Sequence, residues 1–389
     1  MTAKAHSFHT ITAVRIALVS DTYWPQVNGV TTVLRRMVAG LNRRGHESVV
    51  VAPRYAEPIG PEPCPELRIA SLPFPPYPAI RLSVPAVAKV ARFLDDFRPD
   101  LVHVAVEGPL GLAGRRYALR RRLPLVTSFH TDFPRYSRDY GMGWLQPLVW
   151  RWLLWFHGPA RLTQTPGEAI RDELVRRGLD HAVLWGRGVD TTFFHPRRRD
   201  GARRAELGIE GDRILVLHVG RLAREKNVQV LIEAWTRAHA QLGDRAAFVV
   251  AGEGPMAAVM ERAAPWARRL GFLERDALAG LYAAADLCVL PSDTETYGLA
   301  ALEAMASGVP VIAADAGGLR ESVRHEANGL LAPPKDARAF ADAIVRLAGD
   351  AGLRRRLAVA ARRTAEERDV EAEDDLLVEQ YGRAIRSPA

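Results

Sequence analysis

Asp293-Thr294-Glu295-Thr296-Tyr297-Gly298-Leu299-Ala300-Ala301-Leu302-Glu303-Ala304-Met305-Ala306-Ser307-Gly308-Val309-Pro310-Val311-Ile312-Ala313 is the stretch that decides the fold. It reads as a loop, a helix, a turn and a strand. Tyr297-Gly298-Leu299 opens the helix, Ser307-Gly308-Val309-Pro310 closes it, and an apolar strand follows. Two carboxylates stand eight residues apart, Glu295 on the loop and Glu303 inside the helix. A helix N-terminus presents free N–H groups and the positive end of a dipole, so it suits a phosphate. Glu303 lies close enough to reach a ribose hydroxyl beyond that phosphate. Glu295, just outside the helix, faces whatever group the phosphate carries.

The same grammar runs outward from this stretch. Arg213 to Val219 is an apolar strand, the loop Gly220 to Lys226 follows, and a helix runs from Asn227 to Leu242. Ala247 to Ala251 and Leu287 to Leu290 are further strands. The first half begins alike: strand Arg15 to Ser20, loop Asp21 to Gly29, helix Thr31 to Arg44 ended by Gly45, strand His46 to Ala52. Leu101 to Val104, Pro124 to Phe129, Arg161 to Thr165 and Ala182 to Trp185 read as more buried strands, and the Pro-rich run Pro58 to Pro78 as a loop or excursion. Short apolar strands alternating with helices, twice over, predict the α/β class with two doubly wound Rossmann-like domains. A length of 389 residues also makes two domains the default. The expected units are 1–195, 196–370 and a last helical piece, 371–389. The linker falls near Thr191 to Gly211, where Pro196 and the charged run Arg197 to Asp200 interrupt regular structure.

Five further segments carry chemistry. Gly220-Arg221-Leu222-Ala223-Arg224-Glu225-Lys226-Asn227 joins a strand to a helix, and its cations suit a diphosphate, Arg221 as a planar fork and Lys226 as a point charge. Ala251-Gly252-Glu253-Gly254-Pro255 ends a strand on the side where α/β sheets bind ligands, and its glycines let a backbone approach one. Tyr23 to Thr31 joins the first strand to the first helix through Asn28-Gly29-Val30, which also fits a plain tight turn. Ser128-Phe129-His130-Thr131-Asp132 lies at the end of a strand. Trp185 to Phe194, with Gly186-Arg187-Gly188-Val189-Asp190, precedes the linker.

Together these segments resemble the retaining glycosyltransferases of family 4 (group 1), which have the GT-B fold of two Rossmann-like domains facing across a cleft. The Glu295…Glu303 spacing is similar to their E-x7-E element. The resemblance implies a catalytic set of Glu295, His130, Arg221 and Lys226, with His130 near the sugar. It implies a donor site in which the backbone at Asn28, Gly29 and Val30 meets the donor phosphate. Gly252, Gly254, Phe272 and Leu273 would seat the base, with Thr296, Tyr297, Gly298, Leu299 and Glu303 completing the site. Asp132 stands as an acceptor contact and Arg187 as a contact of acceptor or donor, and the last helix is expected to cross back to the first domain. The loop Asp21 to Val30 and the motif Trp185 to Asp190 look most like GDP-mannose-dependent α-mannosyltransferases and sulfoquinovosyl- and glycosyl-diacylglycerol synthases. The implied reaction moves a hexosyl group from a nucleoside-diphosphate sugar, α-mannosyl from GDP-mannose or a hexosyl from a UDP-hexose, to a lipid-linked or glycan acceptor. The configuration is retained by a front-side mechanism. No cofactor is implied beyond the donor itself.

Charge and composition bound the alternatives. The net charge is +8, with 25 Lys+Arg against 16 Asp+Glu in residues 1–195, so the excess sits in the first half. Such a surface suits an anionic membrane or a nucleic acid. Four of eight tryptophans lie at 144, 150, 152 and 155, in a segment that fits either a core helix or a membrane interface and is too short to span. Arg115, Arg116, Arg120, Arg121 and Arg122 stand nearby in sequence and would favour anionic lipid. No signal-peptide core, disulfide framework or zinc spacing is present, which fits a cytoplasmic protein, peripheral at most. No strand-terminal DxD appears, so diphosphate charge is expected to fall to Arg221, Lys226 and helix termini with no metal. The absence of GxGxxG argues against a dehydrogenase. A GT-B sugar-nucleotide epimerase and a basic nucleic-acid-binding protein are the competing readings.

Overall fold

The computed structural model describes residues 13–26, 29–56, 63–74, 77–130, 132–134, 141–186 and 188–387. In chain order the strands are β1 (Arg15–Val19), β2 (Glu47–Pro53), β3 (Glu66–Ile69), β4 (Ser71–Phe74), β5 (Tyr77–Ser83), β6 (Leu101–Val104), β7 (Leu125–Ser128), β8 (Leu162–Thr165), β9 (Ala182–Leu184), β10 (Ile214–Val219), β11 (Ala246–Ala251), β12 (Arg268–Arg269), β13 (Leu287–Leu290), β14 (Val311–Ala314) and β15 (Gly329–Ala332). The helices are α1 (Gly29–Arg43), α2 (Val87–Phe97), α3 (Pro109–Arg121), α4 (Gln146–His157), α5 (Glu168–Arg176), α6 (Gly201–Glu206), α7 (Val228–Leu242), α8 (Ala257–Ala263), α9 (Arg275–Ala284), α10 (Leu299–Ala306), α11 (Gly317–Ser322), α12 (Ala337–Gly349), α13 (Ala351–Glu366) and α14 (Val370–Arg386).

Two parallel sheets carry the fold. The first has the order β3-β2-β1-β6-β7-β8-β9, and the second β12-β11-β10-β13-β14-β15. Each order runs outward from a central strand and then reverses, between β1 and β6 in one sheet and β10 and β13 in the other. At such a switch point the loops after the two strands part in opposite directions and leave a crevice. Strands buried on both faces need continuous apolar runs, which Ile16 to Val19 and Ile214 to Leu217 supply. The strand period of two sends Ile16 and Leu18 to one core and Ala17 and Val19 to the other. Val216 likewise packs on one side of β10, with Leu215 and Leu217 on the other.

Two sequence expectations need correction. The Pro-rich run beyond Pro58 contains regular structure, since β3 extends the first sheet beside β2 and β4 pairs antiparallel with β5. Short length and prolines hid these elements from a periodicity reading. The linker also holds a helix, α6, because the Asp200 carboxylate accepts the Ala202 N–H at 2.9 Å and caps it.

α14 leaves the second sheet's surroundings and packs against α1, placing Leu377, Tyr381 and Ala384 in the core of the first domain. Its seat is also polar. The Tyr381 hydroxyl meets His103 Nδ1 at 2.6 Å, and His103 Nε2 meets Ser128 Oγ at 2.6 Å. Ser128 donates to Gln164, which donates to Gln380 on the same helix. Burial drives the His103 pKa down to about 3, so this chain of bonds is neutral. Outside it, Arg44 ties α1 to Asp374, Asp375 and Glu371.

The tryptophan segment is neither a core helix nor wholly exposed. α4 buries Leu153, Phe156 and His157 and turns Leu148, Trp152 and Trp155 outward, with Trp144 75% exposed just before it. Arg115 donates to the carbonyls of Trp155 and Phe156 and lies over the Trp155 ring, while Arg121 pairs with Asp95. The basic cluster read from the sequence therefore loses two members to structural contacts, leaving Arg116, Arg120 and Arg122 exposed on α3 and at its end.

Replacing Tyr381 with Phe should test the polar seat of α14. The buried His103 nitrogen would lose its partner, at a cost of about 1–3 kcal/mol. Urea unfolding should show a lower midpoint with an unchanged slope. An unchanged midpoint would mean that α14 is held by apolar packing alone.

Candidate functional site

The crevice between β10 and β13 is where the candidate residues gather. The loop after β10 carries Arg221 and Lys226, and the loop after β13 carries Glu295. Lys226 Nζ stands 2.6 Å from Glu295 Oε1, each side chain about one quarter exposed at 23% and 27%. Neighbouring bonds sew the two loops together. Asn227 Nδ2 donates to Pro291 O at 3.0 Å and to Asp293 Oδ1 at 2.8 Å. Thr294 Oγ1 donates to Glu225 O at 2.9 Å. A cation and a carboxylate held this close are ready to divide between the anionic and the hydroxyl parts of one ligand. Arg221 is more open and lies 3.6 Å from Glu225.

Gly298 adopts φ +81° at the N-cap of α10, the left-handed conformation that glycine accepts most readily. Its carbonyl takes the N–H groups of Ala301 and Leu302, so α10 starts abruptly beside Glu295. Glu303 is the fifth residue of α10 and accepts a hydrogen bond from the Tyr282 hydroxyl at 3.1 Å. The residue as a whole is only half-buried, but its carboxyl sits deep among protein atoms. That burial pushes its pKa up to about 7, against the opposing pull of the Tyr282 bond.

The first domain forms the other wall. Gly29 and Val30 open α1 after β1, with Val30 against the first domain's core. His130 is buried beyond β7, and its carbonyl accepts the Thr296 hydroxyl at 3.4 Å from the opposite domain. Asp132 follows, half-buried. Leu299 packs on the core of the first domain beside Trp24 and Val30. Asn28 and Arg187 lie outside the described residues.

Three site residues also have packing contacts that the sequence reading did not foresee. Tyr297 is 5% exposed, and its hydroxyl accepts the Gly188 N–H at 3.2 Å, so the side chain reaches the segment just before the linker. Gly252 and Gly254 have φ of +139° and +156°, and the carbonyls of Gly220 and Leu222 fill the space a Cβ would need. Backbone packing of adjacent loops requires these glycines before any ligand does. The Gly252 N–H donates to Gly271 O at 2.7 Å, which brings the 271–273 turn alongside. There Phe272 is half exposed, with its N–H on Glu253 Oε1, while Leu273 packs inward.

The sequence reading missed Asp21 and Tyr282. Asp21 is buried, and its carboxylate accepts the N–H groups of Leu110 and Gly111, both at 2.9 Å, capping α3. Burial raises its pKa to about 6 although those two bonds pull it down. Its position straight after β1 and the Gly108-Pro109 helix start were available signals. Tyr282 gave none, since it reads as one more apolar position of α9.

With this geometry in place, comparison with known proteins is decisive. Residues 27–193 match Glycosyltransferase Family 4, and residues 200–364 match Glycosyl transferases group 1. A GDP-mannose-dependent alpha-mannosyltransferase of Mycolicibacterium smegmatis is 36% identical over 358 residues, 90% of this chain and 92% of the relative. The chain belongs to glycosyltransferase family 4. Sulfoquinovosyl transferase SQD2 of Arabidopsis thaliana is 31% identical over 95% of this chain and 74% of its own length. The Anabaena HepE structure solved with UDP and glucose superposes with a TM-score of 0.77, at 21% identity, over 95% of this chain and all of that one. That likeness shows the GT-B fold. This family 4 member is a glycosyltransferase enzyme, and its relatives support neither the epimerase nor the nucleic-acid reading.

Glu303 makes the stability of this glycosyltransferase depend on pH. A carboxyl whose folded pKa is raised contributes stability fully present below its unfolded value, about 4.3, and lost as pH rises through about 7. Asp21 and Asp374, both raised to about 6 mainly by burial, act in the same direction. Thermal unfolding midpoints of Glu303→Gln should therefore fall less between about pH 5 and pH 8 than those of the wild type. Parallel pH profiles would show that Glu303 is ionised throughout.

Proposed function

We propose that this enzyme transfers an α-mannosyl group from GDP-mannose, with retention, to a lipid-linked acceptor at an anionic membrane surface. The Lys226–Glu295 pair at the switch point of the second sheet carries the reading. Lys226 and Arg221 receive the diphosphate, and Glu295 holds the sugar it carries. Glu303 accepts the ribose hydroxyls. As the glycosidic bond breaks, charge grows on the leaving diphosphate, and the two cations stabilise it where it forms. The same phosphate takes the acceptor's proton on the face the leaving group departs from. His130, on the opposite wall, contacts the sugar and fixes its orientation. The diphosphate charge is met by protein groups alone, without a metal.

The donor assignment is supported by the mannosyltransferase relatives at 34–36% identity. A UDP-hexose donor is the second reading; a hexosyl group other than mannose is supported by an alpha-monoglucosyldiacylglycerol synthase of Streptococcus pneumoniae at 29% identity. Membrane contact is supported by the outward face of α4, where Leu148, Trp152 and Trp155 form an apolar stripe, and by Arg116, Arg120 and Arg122. Among the described residues no helix is long and apolar enough to cross a membrane, so this surface would lie against the bilayer.

Purified protein with EDTA should turn over GDP-mannose faster than UDP- or ADP-hexoses, and Lys226→Ala should lower kcat about 10²–10³-fold with the fold intact. Near-wild-type turnover by Lys226→Ala removes the proposed clamp. Activity that vanishes in EDTA and returns with magnesium or manganese removes the metal-free assignment.

Liposome co-sedimentation tests the surface. Pelleting should occur with anionic vesicles, weaken with salt, and fall further in Trp152→Ala/Trp155→Ala. Equal pelleting with neutral and anionic vesicles would remove the anionic-surface part of the reading, and none with either would point to a soluble glycan acceptor.

A further inference from the structure

α11 is a six-residue helix with both ends committed. Its start lies on the Glu295 loop: the Gly318 N–H donates to Glu295 O at 2.7 Å. A Cβ on Gly317 would fall 2.5 Å from Glu295 O, and one on Gly318 would fall 2.6 Å from the Thr296 backbone. Only a pair of glycines lets the helix sit this close to the loop. Its far end belongs to the other domain. Glu321 Oε2 accepts the Glu168 N–H at 3.0 Å, and Oε1 accepts the Ala169 N–H at 3.1 Å. These N–H groups open α5 in the first domain. Gly167 completes the fit, because a Cβ there would stand 2.6 Å from the same carboxylate. Arg368 steadies this end by donating to Glu321 O and Ser322 Oγ, and its own carbonyl accepts the Val189 N–H just before the linker.

A carboxylate on two successive N–H groups at a helix start is a charge-assisted cap, favoured by the helix dipole and strict in geometry. Here cap and helix belong to different domains. We propose that Glu321 is a positioning residue that latches the closed cleft and, through α11, sets Glu295 in register with the wall carrying His130. The inference rests on the transferase role of Glu295 given above. Breaking the latch removes no side chain that touches the donor and loosens one of the restraints between the domains. The predicted loss is therefore in kcat rather than in donor binding, with more donor lost to water, since closure is what excludes solvent.

The test compares wild type with Glu321→Ala, Glu321→Gln and Gly167→Ala, using GDP-mannose as the probe. Losing one cap corresponds to a fall in kcat of about 10-fold. Donor KM should stay within about twofold and the ratio of hydrolysis to transfer should rise, since closure rather than binding is affected. Glu321→Gln should recover part of the activity, because its amide oxygen still accepts one N–H. Gly167→Ala, which disturbs the same contact from the other domain, should match Glu321→Ala, and the double variant should add nothing further. An unchanged or increased kcat in all three overturns the proposal, as does a loss confined to KM. Small-angle scattering reads closure independently of turnover. The proposal requires a larger radius of gyration for Glu321→Ala than for wild type in the presence of GDP, and equal radii overturn it. Absence of turnover by the wild type would instead count against the transferase reading while the scattering still decides the latch.

Discussion

Everything at the candidate site depends on one topological constraint, the reversal of strand order between β10 and β13. Lys226 and Glu295 are 69 residues apart in sequence. They meet because the loops after two neighbouring parallel strands must part in opposite directions, leaving a crevice that both line. The 2.6 Å ion pair between them is only partly buried, so it contributes little to stability. Its value is geometric: it keeps a cation and a carboxylate poised at the same point, with the start of α10 beside them. The glycines at 252, 254, 317 and 318 serve the same end, since they let four backbone segments approach more closely than side chains would permit.

The two domains are joined more firmly than a single linker would allow. α14 carries Leu377 and Tyr381 from the second half of the chain into the core of the first domain. Tyr381 and Gln380 find buried partners in a chain running from Tyr381 through His103, Ser128 and Gln164 back to Gln380. Such a network specifies one seat for the helix, because any shift leaves several buried groups unpaired at once. Near the linker, Arg36 donates to Gly188 O while the Gly188 N–H donates to Tyr297. The loop that bears Glu295 is thus in contact with the hinge as well as with the opposite wall.

Arginine explains both the charge of the protein and why that charge is a poor guide to its partners. The excess of positive charge in residues 1–195 suggested one continuous basic surface. Much of it is engaged internally. Arg161 donates to carbonyls at the end of α14, Arg115 caps the end of α4, and Arg68 pairs with Glu66 and reaches Trp24 O and Pro53 O. The guanidinium fork suits such carbonyl-rich sites, and counting charges cannot distinguish these from a solvated face. What remains exposed is smaller: Leu148, Trp152 and Trp155 on α4, and Arg116, Arg120 and Arg122 on and after α3.

By itself the sequence determined the fold class, the two-domain grammar and the segments on which the site is built. Those are local matters: a strand of apolar residues, a glycine where the chain must turn, a helix starting after Gly298. Glu295, Glu303, Arg221 and Lys226 were legible because their motifs sit at strand ends, where parallel sheets expose loops. What only the tertiary structure decided is direction and partnership. A sequence does not say that the Tyr297 ring turns toward Gly188, that Tyr282 from another helix meets Glu303, or that Gly252 packs against the Gly220 carbonyl. Nor could it show that Glu321 would cap a helix of the other domain. The reason is physical: local pattern fixes backbone conformation through neighbouring residues, whereas a long-range contact depends on the crossing of elements that are distant in the chain. Those crossings are set by the packing of two whole cores and exist only once both have formed.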